Sequence, residues 1–280
     1  MNRPTMNDAQ KPETSSPIAL VTGSSKGIGA AIAYALARQG MRIVLHGRSE
    51  SNHLSETRNR IEKNGWEAKV VTCDFSKATD SLEDHLRNLA TTAYDQFGGI
   101  DILVNNAGGD VLTGQAKNWS FESQLTYLLQ VDVSATLLLS RIIGGQMKQE
   151  NAAAPPVGKS IVNIGWDQAQ QGMAGESGEM FATTKGAIMA MTKSLAQSLS
   201  PEVRVNCVAP GWIQTEWGDK ASDQWHQRAI DESLMQRWGK PEDVADIVSF
   251  LVSQQARFIS GQVIPVNGGF KYFRDNHERS

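Results

Sequence analysis

The sequence predicts an α/β protein: a single, doubly wound domain whose mostly parallel sheet is covered by helices on both faces. Two observations carry this. Short β-rich runs alternate with longer helix-spaced runs from residue 17 to residue 266, which is the signature of βαβ units and a buried parallel sheet. The 280 residues suffice for one large core, and neither an internal repeat nor Pro/Gly punctuation divides them into halves.

The elements follow in order. "PIALVT" (17–22) is a strand, and "IGAAIAYALARQG" has helical spacing and stops at Gly40. "MRIVLH" (41–46) is the second strand, followed by a polar helix through about Asn64. "AKVVTC" (68–73), a helix over about 79–97 and "DILVNN" (101–106) come next. One long helix is expected over 118–149, then the strand "SIVNIG" (160–165) and a helix over 178–199. "VRVNCVA" (203–209), a helix over 241–252 and "GQVIPV" (261–266) complete the set. Residues 1–16 and 271–280 read as polar tails around a domain over 17–270. Residues 210–240 hold Trp212, Trp217, Trp225 and Trp238 and few β signals. A segment of that kind is either a substrate lid or a helical insertion whose tryptophans form its own small core.

Composition narrows the function classes. The charged fraction is 20%, the net charge is −3, and no basic run appears, which argues against nucleic acid or an anionic membrane as partner. No apolar run approaches the ~18 residues of a membrane span, and the start has no apolar signal core, so a cytoplasmic protein is expected. Cys73 and Cys207 lie in apolar strand-like runs and read as buried free thiols rather than a disulfide or a metal site.

The first strand leads into "TGSSKGIG", with Gly23, Ser25, Lys26, Gly27, Ile28 and Gly29 ahead of an Ala-rich helix. A tight strand-to-helix turn of this kind lets backbone approach a pyrophosphate at a helix N-terminus. Its place at the first βα turn of an alternating chain strengthens the signal. An acid ~20 residues on, at the end of the second strand, would select NAD. Here "LHGRS" has Gly47 and then Arg48. A carboxylate would repel a 2′-phosphate, whereas a guanidinium pairs with it through two N–H groups. Lys26 adds a second cation, so NADP(H) is expected over NAD(H).

These residues and several later motifs resemble the short-chain dehydrogenase/reductase family, over nearly everything from Pro17 to Phe270. "CDF" with Asp74 resembles the family's adenine-contacting segment. "NNAG", with Asn106, Ala107 and Gly108, resembles the turn after the fourth strand. "VNCVAPGWIQT", with Pro210, Gly211 and Ile213, resembles the nicotinamide-side loop, and "RWGKPEDVA" and "ISGQVIPVNGG" the C-terminal portion. The resemblance implies a Rossmann-type sheet of seven strands. It also implies assembly as a homodimer or homotetramer, here through the helices near 118–149 and 178–199, and a small-molecule substrate.

The family works with an Asn–Ser–Tyr–Lys set, and the match to it is uneven. Lys185 matches the lysine, whose role is to hold the nicotinamide ribose. Phe181 stands at the tyrosine position, Trp166 where the serine is expected, and Asp132 where the asparagine is expected. No tyrosine lies between residues 128 and 271 to take the role instead. General acid–base assistance is worth about 10²–10⁴-fold, so ordinary carbonyl reduction needs another proton source. Asp132 shares a helical face with Leu125, Leu128, Leu129 and Thr136; it is either a proton donor or a structural acid balancing Lys185. Asp167 follows the fifth strand, at the edge where such sheets bind ligands; it is an acid, a substrate contact or a turn residue. Glu179 reads as a helix cap, and Glu176 is a weaker candidate.

Two functions remain open at this level. One is an NADP(H)-dependent oxidoreductase with a rearranged acid–base set, acting on a carbonyl, an alcohol or an activated C=C bond. In the family that the chain resembles, some relatives that reduce unsaturated thioesters also lack the tyrosine at this position. The other is an NADP-binding homologue without turnover, serving as a sensor or structural subunit.

Overall fold

Seven parallel strands form one sheet in the order β3-β2-β1-β4-β5-β6-β7. They are β1 (Ile18–Val21), β2 (Arg42–Gly47), β3 (Ala68–Thr72), β4 (Ile102–Asn105), β5 (Ser160–Ile164), β6 (Arg204–Pro210) and β7 (Val263–Val266). This is a computed structural model, and it describes residues 16–77, 81–151, 158–219 and 221–271. The expected tails fall almost wholly outside the described residues. Every strand pair is parallel, where a mostly parallel sheet was expected.

Helices cover both faces, as parallel strands buried on both sides require. On one face lie α1 (Gly27–Arg38) and α10 (Pro241–Val252), whose Ile32, Leu36, Val244, Val248 and Leu251 share a core with β1, β2 and β4. On the other, α3 (Leu82–Phe97), α5 (Ala135–Asn151) and α7 (Glu176–Leu199) bury Leu86, Leu89, Leu139, Ile143, Leu195 and Leu199. Each such side chain stabilises the fold by about 1.5–3 kcal/mol relative to exposure. The helix starts are written locally. Ser51 accepts from the Leu54 N–H at the head of α2 (Asn52–Glu62), and Ser81 from the Asp84 N–H at the head of α3. Helix α3 ends on Gly98 at φ 81°, a left-handed cap that suits glycine.

The single long helix expected over 118–149 is interrupted. Helix α4 (Phe121–Leu128) opens on the Ser120 cap and passes through a wide π turn, Leu129–Ser134, into α5. By length and composition Phe121–Glu150 is apolar enough to cross a membrane, contrary to the sequence expectation. Half of its most apolar window is buried inside the protein, which is how a core helix reads.

Beyond β6 the chain forms α8 (Glu216–Asp219) and α9 (Asp223–Glu232) before α10, with a short bridge between Ile213 and Gly239 closing the segment at its base. A four-residue helix, α6 (Gln168–Gln171), follows β5. The sheet order reverses between β1 and β4. A crevice opens there at the carboxyl ends of the strands, where α/β sheets place their ligands.

Candidate active site

The glycine loop crosses that crevice with almost no room to spare. Gly23 has φ +63°, and a Cβ there would lie 2.8 Å from the Ala107 Cα. A Cβ on Gly29 would lie 2.3 Å from the Gly23 carbonyl oxygen. Glycine is therefore required at both positions. No side chain caps the N-terminus of α1, whose N-cap is Lys26. That leaves the first turn's N–H groups and the positive end of the helix for an anion.

Two neighbours hold the loop. The Gly23 N–H donates to His46 Nδ1 at 3.2 Å, while His46 Nε2 lies 3.1 Å from the Cys73 carbonyl and the ring stacks on Phe75. Burial pushes His46 down to about 4, against the Cys73 hydrogen bond, so the ring is neutral, with Nε2 carrying the proton. On the other side Asn106 Nδ2 donates to the carbonyls of Thr22 and Gly23, each at 3.0 Å, and the N–H groups of Asn106 and Ala107 both donate to Thr22 Oγ1.

Arg48 stands exposed just past β2 and forms no ion pair among the described residues. Lys26 differs from the sequence expectation: it pairs with Glu216, drawing the segment after β6 over the glycine loop. Asp74 is bound by Ser76 through N–H and hydroxyl, at 3.0 and 2.7 Å. Burial pulls its carboxyl upward, but these bonds with Lys77 and Arg48 outweigh it and hold it below its usual range. An uncapped helix end behind a glycine cradle, with an exposed guanidinium at the next strand end, fits a phosphorylated dinucleotide. Gly23, Ser25, Gly27, Ile28 and Gly29 would hold its pyrophosphate, Arg48 a 2′-phosphate, and Lys185 the nicotinamide ribose.

From the glycine loop a cavity of about 530 Å³ runs between β5, β6 and α7. Ile28 and Asn106 line its cofactor end, Pro210, Gly211, Ile213 and Thr215 one wall, and Lys185, Phe181 and Trp166 the other. Trp212, Trp225 and Trp238 close the far side. Trp166 and Phe181 meet edge to face, centroids 6.3 Å apart. Phe181 sits one turn before Lys185 on α7, which points both into the same space.

The two aspartates proposed from sequence stand one layer behind these walls and do not line the cavity. Asp132 lies in the π turn with its side chain only 1% exposed. Its Oδ1 accepts from the Gly109 N–H at 2.6 Å, and its Oδ2 lies 3.0 Å from Lys185 Nζ, off the hydrogen-bond direction. The π turn also breaks the expected stripe: Leu128 is buried, but Leu129 is 38% exposed.

Asp167 is buried beside Gly211 and accepts from Asn267 Nδ2 at 3.0 Å. Burial pushes its carboxyl up to about 6, against the bonds from Asn267 and the Gln168 backbone, with Glu232 adding repulsion. Glu232 is itself buried and accepts from Trp212 Nε1 (2.8 Å), Gln168 Nε2 (3.1 Å) and Arg228 Nε (2.7 Å). Glu176 and Glu179, in the first turn of α7, are exposed and outside the cavity. A buried polar chain ties the site's floor to its helices: Asn105 donates to Ser140 and Asn163, and Asn163 to Thr192.

Sequence reading missed His46, Ser177, Glu232 and Asn267. Ser177 lines the cavity one turn before Phe181, a spacing visible in the sequence. Glu232 and Asn267 reach the site only through tertiary contacts.

The fold and this crevice are those of a nucleotide-binding α/β protein. A family model described as enoyl-(acyl carrier protein) reductase matches residues 23–271. The chain is 32% identical over 257 residues to glucose 1-dehydrogenase 2 of Bacillus subtilis, covering 91% of this chain and 95% of that one. A short-chain dehydrogenase from Burkholderia cenocepacia, solved in complex with NADP, superposes with a TM-score of 0.75 at 30% identity, covering 90% of this chain and 97% of the other. A 7α-hydroxysteroid dehydrogenase solved with NADH and 7-oxoglycochenodeoxycholic acid superposes with a TM-score of 0.79 at 26% identity, covering 91% and 94%. This chain belongs to the short-chain dehydrogenase/reductase family.

Proposed function

We propose that the chain is an NADP(H)-dependent oxidoreductase with an altered acid–base set, acting on a small apolar or planar molecule that carries a carbonyl, an alcohol or an activated C=C bond. The observation that carries this reading is one cavity lined by Ile28 of the glycine loop, by Lys185 and by the aromatic side chains of Trp166, Phe181, Trp212, Trp225 and Trp238. The bound nicotinamide supplies or accepts a hydride. The exposed Arg48 and the Gly47 before it favour the 2′-phosphorylated cofactor. Lys185 holds the ribose, with its charge balanced by Asp132. Phe181 and Trp166 form an apolar wall that positions the substrate and excludes water. The protein is proposed to be cytoplasmic and to assemble as a homodimer or homotetramer through α4–α5 and α7.

One observation favours the second reading, an NADP-binding homologue without turnover. Among the described residues lining the cavity there is neither a carboxylate nor a tyrosine. The test is titration with NADPH and NADH, following tryptophan fluorescence, alongside NADPH oxidation with ketones, aldehydes and enoyl thioesters. The expected result is preferential NADPH binding that Arg48→Ala abolishes, with turnover of at least one acceptor by wild type. Tight NADPH binding with turnover only in Phe181→Tyr would establish the second reading.

A further inference from the structure

Resting on the NADP(H)-dependent oxidoreductase reading above, we infer that the aromatic chamber is a site for a planar organic cation, and that its acceptor is an iminium ion, the C=N counterpart of the carbonyl named there. The chamber is built from ring systems: Trp166 and Phe181 beside Lys185, then Trp212, Trp225 and Trp238. Aromatic faces attract cations, tryptophan most strongly. The protein already uses these rings in that way. The Arg228 guanidinium lies 5.7 Å from the Trp212 ring centroid and 5.1 Å from that of Trp225. Trp166 and Phe181, at the reacting end, carry no protein cation among the described residues.

The cations at the chamber are paired. Lys185 is the charged side chain among the described residues that line the cavity, and Asp132 lies 3.0 Å from it; the Arg228 guanidinium on the Trp212 and Trp225 rings is paired with Glu232 at 2.7 Å. Trp212 donates its Nε1–H to the buried Glu232 carboxylate at 2.8 Å. An anionic acceptor there pushes electron density into the indole and makes its face more attractive to a cation.

The chemistry closes without the group that Phe181 lacks. A ketone takes a hydride at carbon and a proton at oxygen. An iminium carbon takes the hydride alone: one C–H bond forms, the C=N π pair moves to nitrogen, a neutral amine leaves, and NADPH becomes NADP⁺. No proton enters the balance. A cavity of about 530 Å³ is of ordinary size for a drug-sized ligand.

Binding and turnover test this separately. With NADP⁺ present, calorimetry in mildly alkaline buffer compares N-methylisoquinolinium with neutral methylisoquinoline. The cation should bind about tenfold tighter. Trp166→Leu and Phe181→Leu should each weaken the cation about fivefold more than the neutral compound, while Trp166→Phe keeps the preference. With NADPH, N-methyl-dihydroisoquinolinium should be reduced at least ~100-fold faster than the isosteric ketone tetralone. Phe181→Tyr should accelerate only tetralone. Equal binding of cation and neutral compound, or equal reduction of tetralone by wild type, overturns the inference. Turnover of a ketone or an enoyl thioester without cation binding removes the inference and leaves the oxidoreductase reading standing. Failure to bind NADPH removes both.

Discussion

Asp132 and Lys185 form a pair whose partners depend on each other unequally. Asp132 is 1% exposed and Lys185 15%, so removing the carboxylate strands an ammonium with little water to replace its partner. Breaking a buried pair costs about 3–5 kcal/mol, and the lysine's partial exposure at the cavity sets the expectation near the lower end. Asp132→Ala should lower unfolding free energy by roughly that amount in urea titration, and unchanged stability would rule out the pairing role. Asp167 obeys a different rule. Its folded-state carboxyl is raised from 3.8 to about 6, so the folded protein holds this proton more tightly than the unfolded chain. Its contribution is fully present below about pH 4 and is lost as pH rises through about 6. Asp167→Asn should therefore match wild type near pH 4 and exceed it above pH 6. The gain is at most about 3 kcal/mol, because each tenfold change in proton affinity is worth about 1.4 kcal/mol. An increment shrinking with pH would refute the buried-acid assignment. Lys185, Phe181 and Trp166 were legible in sequence through the resemblance to the family's lysine, tyrosine and serine positions, and all three line the cavity. Asn267 was not, because its bond to Asp167 spans 100 residues.

At the scale of elements, the seven strands and the main helices were written in local pattern, and their observed bounds lie within a few residues of expectation, those of α10 coinciding with it; the four-residue α6 was not foreseen. The π turn at Leu129–Ser134 was not legible, since it changes hydrogen bonding without altering the residue types. It is nevertheless the element that turns Asp132 toward Lys185. The tryptophans of the segment after β6 both pack on one another and reach the cavity. Trp212 packs against Trp225 and Trp238, with centroids 5.4 and 6.0 Å apart, while all three line the cavity; the Trp217 side chain lies outside the described residues. The glycine loop gives the sharpest element-level prediction. A methyl group at position 29 would lie 2.3 Å from the Gly23 oxygen and 2.4 Å from Asn106 Nδ2, contacts that only backbone movement relieves. Gly29→Ala should weaken NADPH binding more than tenfold in fluorescence titration. Retained affinity would mean that the loop does not cradle the pyrophosphate.

On the scale of the whole molecule, strand alternation was enough to specify a doubly wound sheet, because parallel strands joined by right-handed helical crossovers leave few other arrangements. Assembly is a separate question, since a surface pattern does not announce its partner. The proposed interface uses the stretch from α4 into α5, where Phe121 and Leu129 are exposed beside the capping Ser120. The exposed rings of Phe250 and Phe258 lie elsewhere, at α10 and just beyond the turn that follows it. Apolar exposure of this kind marks contact surfaces, and a two-fold interface meets its own residues across the axis, so one charge substitution appears twice. Sedimentation velocity should show a dimer or tetramer for wild type, and Leu129→Arg should shift it to a smaller species because two guanidinium groups would then lose water in the contact. If Phe258→Asp dissociates the assembly while Leu129→Arg leaves it whole, the contact runs through the α10 side, and the α4–α5 surface is free for another use.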